Sequence, residues 1–247
     1  MSGTRWGAPG GGWGDGLTPA VRALLIANVA VYGFQIVSRF AANVRLERLF
    51  GLVPYDVVHH LFLWQPVTYM FLHDPGNIFH ILFNMLVLWM FGIALEGTWG
   101  TQRFVRYYFI TGVGAALCTT VVSPNSYVPT IGASGAIYGL LLAYAVLFPR
   151  QRLLLWGIFP IEARYLVLGL GLIAFWMSLT ASGSGVAHVA HLGGMLFGWV
   201  YLRARSWGLR PPRLPFRGWI ERRRRERLKK KFQVYYRETR GREDEEE

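Results

Sequence analysis

Six apolar stretches, separated by polar or turn-forming residues, divide most of this chain. They run from about Pro19 to Val37, Ile78 to Leu95, Phe104 to Val121, Ser134 to Pro149, Tyr165 to Leu179 and Ala187 to Leu202. A helix needs about 20 apolar residues to cross a bilayer core, so the pattern predicts an all-α membrane protein with six membrane helices. The fourth stretch, cut off by Pro149, is short of a full crossing. A helix that begins below the membrane surface has free N–H groups that cannot face lipid. Ser134, at that start, is therefore expected to border a wet pocket. The segment from Ser38 to Asn77 mixes Arg39, Arg45, Glu47 and Arg48 with Leu46, Leu49, Phe50, Phe62 and Trp64. Such a mixture suits short amphipathic helices in the interface plane, a first loop embedded in the membrane.

Composition agrees with lipid as the solvent. Of 247 residues, 53% are hydrophobic and only 16% charged, where soluble domains carry about a quarter charged residues. The expected organisation is a flexible cytosolic leader (1–18), one helical bundle (19–204) and a basic cytosolic tail (205–247) with an acidic end.

Charge is concentrated at that end. Residues 203–247 hold 16 of the 26 Lys and Arg residues and a net +8 of the chain's +12, so the basic balance describes mainly a tail and not a nucleic-acid-binding fold. Leu228, Phe232, Tyr235 and Tyr236 fall at helical spacing among these cations. Two readings stay open: an interfacial helix on anionic lipid, or a topology-fixing segment followed by disorder. Cys118 is the sole cysteine, which rules out an intramolecular disulfide. No removable signal peptide is expected.

The connections around Arg103/Arg106 and Arg150/Arg152/Arg164 are basic, whereas those at Ser123–Thr130 and Thr180–Val186 carry no charge. The positive-inside rule makes the basic set and both termini cytoplasmic. Ser134 and His191 then lie toward the outer leaflet. Arg39, Arg45 and Arg48 in the first loop dissent; burial of that loop in the interface would accommodate them.

Candidate chemistry begins with Gly132-Ala133-Ser134-Gly135 and Ala190-His191-Leu192-Gly193-Gly194. A hydroxyl and an imidazole are the minimum for nucleophilic acyl transfer. The bland alternative is a small packing serine and a satisfied polar histidine. Against it, Gly135 and Gly139 are four apart, as are Gly194 and Gly198. Each helix thus offers a small-residue groove beside its polar group, permitting close backbone approach. His80 and Asn84 are also four apart, on one helix face, and both can donate hydrogen bonds to an oxyanion. A metal centre is not expected: His188/His191 and His59/His60 lack further ligands, and no His-Glu-x-x-His occurs. No Gly-x-Gly-Asp occurs either, which disfavours an aspartyl protease. A transporter would favour intramembrane carboxylates or inverted repeats, neither of which is evident. No cofactor is implied.

Together these motifs resemble the rhomboid intramembrane serine proteases, over roughly residues 20–204. The Gly-x-Ser-Gly at 132–135, the Ala-His-x-x-Gly-x-x-x-Gly at 190–198 and the His-x-x-x-Asn at 80–84 occur in the family's order. The resemblance implies that Ser134 is the nucleophile and His191 the general base of a dyad without an acidic third member. It implies that His80 and Asn84 line an oxyanion hole with the Ser134 N–H, and that Tyr138 packs against the histidine. Substrates would be single-span membrane proteins cut near their outer face, in a prokaryotic plasma membrane. The rival is a non-catalytic relative that binds membrane helices; such relatives usually lack the serine or the histidine. Two departures stand out. Trp64-Gln65 replaces the family's Trp-Arg, removing an anchor of the first loop. Asp74-Pro75-Gly76 stretches the spacing from His73 to His80, and His73 receives no catalytic role.

Overall fold

The computed structural model describes residues 16–155, 158–180 and 185–206. The leader up to Asp15 and nearly all of the tail, with their expected roles, lie outside the described residues. Helix α1 spans Pro19–Ala42, α5 Ile78–Trp99, α6 Thr101–Val122, α7 Ser134–Leu147, α8 Ala163–Thr180 and α9 Gly185–Ser206. Among the described residues, α1, α5, α6 and α8 are long and apolar enough to cross a membrane. Helix α7 is shorter, at 14 residues, and α9 has 22.

The first loop folds into short pieces: α2 (Leu46–Phe50), α3 (Pro54–His59), α4 (Gln65–Thr68) and a 3-10 turn (Tyr69–Phe71). Gln65 is fully buried, and its Oε1 accepts the backbone N–H of Val53 at 2.9 Å. A neutral amide thus ties the loop where the family's arginine would stand. Leu52 exchanges two backbone hydrogen bonds with Thr130, joining the loop to the segment that leads into α7.

Helix ends are satisfied by specific groups. Pro19 starts α1, where a missing N–H costs nothing. The N–H groups of Ala20 and Val21, which have no partner within the helix, are taken by the buried Glu96 carboxylate at 3.0–3.1 Å. The same carboxylate accepts from the Thr101 hydroxyl at 2.6 Å, so one side chain secures the start of α1 and the α5–α6 corner. Asn77 caps α5 through the Phe79 N–H at 3.2 Å.

Phe104, Tyr107, Tyr108, Leu88, Leu95 and Leu140 form the buried centre where α5, α6 and α7 meet. By contrast Ile26, Phe34, Val37 and Phe40 of α1 and Leu168, Leu172, Trp176 and Leu179 of α8 are exposed. Apolar bands of that size suit lipid contact and not water. One element has no counterpart in the apolar pattern. Arg152–Leu155 (β1) pairs antiparallel with Phe159–Glu162 (β2) between α7 and α8. Its base is held by Ala163 N–H to Gln151 O at 2.9 Å and by an Arg164–Glu162 ion pair at 2.8 Å.

Candidate active site

Ser134 is the first residue of α7, and Gly132 ahead of it has φ +119°. That backbone conformation is strained for any residue with a Cβ, so the chain can turn sharply and present the serine at the helix start. The Ser134 hydroxyl lies 2.9 Å from His191 Nε2, within reach of proton transfer. His191 Nδ1 has no hydrogen-bond partner among the described residues. The ring instead stacks on Tyr138, with centroids 4.2 Å apart and planes 1° from parallel. His188 approaches edge-on at 5.8 Å.

The approach of α9 to α7 depends on missing side chains. A Cβ on Gly194 would collide with the carbonyl oxygen of Gly135. A Cβ on Gly135 would come within 2.7 Å of Ala115 Cβ and 3.0 Å of the Tyr69 hydroxyl. The second glycine of each groove has a different partner. A Cβ on Gly139 would come within 2.5 Å of the Thr111 side chain of α6, and one on Gly198 would collide with the Tyr107 hydroxyl. Tyr107 also donates to Gly139 O at 2.7 Å. Helix α6 is thus a third member of a joint that the glycine spacing alone assigned to two helices.

Beside Gly132 stand His80 and Asn84. The position a Gly132 Cβ would occupy lies 2.8 Å from His80 Nε2 and 3.7 Å from Asn84 Nδ2. His80 Nδ1 accepts the backbone N–H of Asp74 at 3.3 Å. In the neutral ring the proton must then sit on Nε2, the nitrogen nearer Gly132. Asn84 Nδ2 donates one hydrogen to His80 O at 2.9 Å, leaving a second for another acceptor.

Three residues outside the motifs support this arrangement. Gln35 of α1 is buried and grips the His73 backbone twice, accepting its N–H at 2.9 Å and donating to its C=O at 3.0 Å. The Tyr69 carbonyl accepts the Gly132 N–H at 2.9 Å, and its hydroxyl donates to Gly112 O at 2.7 Å. His73, fully buried, places its ring 5.1 Å from that of His80. Burial, with a smaller contribution from His80, pushes His73 down to about 3. A glutamine within an apolar run is costly unless it has partners, so Gln35 carried a signal; Tyr69 had none beyond its aromatic type. Among the described residues no group of three or more His, Cys, Asp or Glu is placed to hold a metal.

Comparison with known proteins adds to this geometry. The family model of the rhomboid domain matches residues 60–207. The chain is 29% identical over 205 residues to the rhomboid protease AarA of Providencia stuartii, covering 71% of this chain and 68% of that protein. It is 29% identical over 192 residues to the mitochondrial rhomboid protein 1 of Saccharomyces cerevisiae, 73% and 51% of the two chains. With the rhomboid protease GluP of Bacillus subtilis it shares 32% identity over 137 residues, 55% of this chain and 24% of that one. The chain thus spans two thirds of the first of these relatives, half of the second and a quarter of the third. With a domain match over more than half its length, this chain belongs to the rhomboid family.

Proposed function

We propose that this protein is an intramembrane serine endopeptidase that cuts membrane-spanning substrates through a Ser134–His191 dyad. The carrying observation is the 2.9 Å separation of hydroxyl and imidazole across two helices. Two relatives named as rhomboid proteases support the same activity class.

In this reading His191 Nε2 takes the Ser134 proton as Oγ attacks the scissile carbonyl carbon. The carbonyl π pair moves to oxygen, where the His80 Nε2–H, the Asn84 Nδ2–H and the Ser134 N–H stabilise it. Collapse breaks the C–N bond, and the imidazolium returns its proton to the leaving amine. Water, deprotonated by the same imidazole, then attacks the acyl carbon; the C–Oγ bond breaks and the imidazolium returns its proton to Ser134 Oγ, freeing the product acid. With no acid at Nδ1, the stacked Tyr138 ring holds the imidazole in plane. A peptide bond inside a helix is shielded by its own hydrogen bonds, so substrates unwind locally, and small helix-weakening residues mark the cleavage point.

The wider reading has six crossings, α7 and α9 included, and both termini in the cytoplasm. The dyad faces the outer leaflet of a prokaryotic plasma membrane. The basic tail of 205–247 is then cytosolic, and both of its readings, an interfacial helix on anionic lipid and a topology-fixing segment, remain open. Incubating native protein and its Ser134→Ala and His191→Ala variants with a single-span substrate in liposomes tests the activity. Site-specific cleavage by the native protein alone is expected. Equal cleavage by Ser134→Ala would end the proposal.

A further inference from the structure

The arginines that the charge pattern left unexplained lie together. Arg39, Arg45 and Arg48 line one cavity of about 580 Å³. Arg39 stands in the last turn of α1, where a cation favours the helix dipole. That accounts for one guanidinium and not for three around a single hollow. None of the three has an ion-pair partner among the described residues. The wall also carries Glu47, Asp56 and Asp74, but each has an oxygen already engaged. Glu47 accepts from Gln35 at 2.9 Å, Asp56 pairs with His60 at 3.0 Å, and Asp74 accepts the Gly76 N–H at 2.8 Å. The donors least committed to the wall are the guanidiniums, whose planar forks match carboxylates.

The hollow borders the catalytic groups. Ile131, in its wall, precedes Gly132 directly, and Asp74 is the residue whose backbone N–H holds His80. We propose that Arg39, Arg45 and Arg48 form a binding site for a carboxylate side chain in the substrate segment flanking the cleavage point. This rests on the endopeptidase reading above. A uniformly positive surface would suit anionic lipid; this wall is mixed. A peptide supplies both an acid for the arginines and N–H donors for the remaining carboxylate oxygens, and a cavity of this size admits several of its atoms at once.

Two single-span substrates test it, identical except that acidic residues outside the membrane segment become their amides. Binding is measured to Ser134→Ala protein in phosphatidylcholine liposomes, and cleavage by native protein in parallel. The acidic substrate should bind about tenfold more tightly, with the preference shrinking as salt rises. An Arg45→Glu/Arg48→Glu pair should invert it in favour of a lysine-bearing substrate. Equal binding of both substrates would overturn the inference, as would a charge-reversed variant with weaker binding to all substrates alike. Selective binding without any cleavage by native protein would overturn the endopeptidase reading while leaving the anion site standing.

Discussion

Gly194 of α9 sits so close to the carbonyl oxygen of Gly135 that no Cβ fits between them. This contact lies one turn from His191 and one residue from Ser134, so it governs the distance between the two reacting groups. Gly194→Ala should push the helices apart by roughly an ångström and lower kcat about 100-fold or more. Turnover of a reconstituted substrate checks this, alongside a thermal melt to separate lost geometry from lost folding.

His80 and Asn84 are assigned to the oxyanion, so their removal should act on kcat more than on KM. His80→Ala and Asn84→Ala should each cost about 100- to 1,000-fold in kcat. Steady-state kinetics in detergent distinguish this from weakened substrate binding, which would raise KM alone.

Gln35 clamps the His73 backbone from α1 through two hydrogen bonds. Gln35→Leu leaves a buried N–H and C=O unsatisfied and should destabilise the protein by about 1–3 kcal/mol. Because His73 is followed by Asp74, the anchor of His80, activity should fall as well. Denaturation in mixed micelles and an activity assay give the two readouts.

His73 makes stability depend on pH in one direction. Its folded-state value lies near 3, below the ordinary histidine value, so the unfolded chain binds the proton more readily. Stability is fully present above about pH 6.5 and declines as pH falls toward 3; at pH 5 the loss is about 2 kcal/mol. Melting curves at pH 7.5 and 5 should show it, and His73→Phe should flatten that part of the dependence.

Much of the fold is legible in the chain because lipid leaves few alternatives to helices, and each apolar run lies inside a helix to within a few residues. The mixed segment after α1 is equally readable, as short helices. The β1–β2 hairpin is not: its strands carry Leu153, Leu154 and Ile161 among charges, without alternation long enough to signal a sheet. Pairwise packing is hidden for a different reason. Glycines at a four-residue interval announce a groove but not its occupant, and α6 meets three of the four positions with Ala115, Thr111 and Tyr107. Glu96 reads as a loop charge until the start of α1 is folded back onto it.

The most direct test is chemical. Native protein treated with a fluorophosphonate, digested and mapped by mass spectrometry should carry a single adduct on Ser134, absent when His191 is replaced by Ala. A native protein that stays unlabelled, or an adduct whose yield is indifferent to His191, would contradict the dyad.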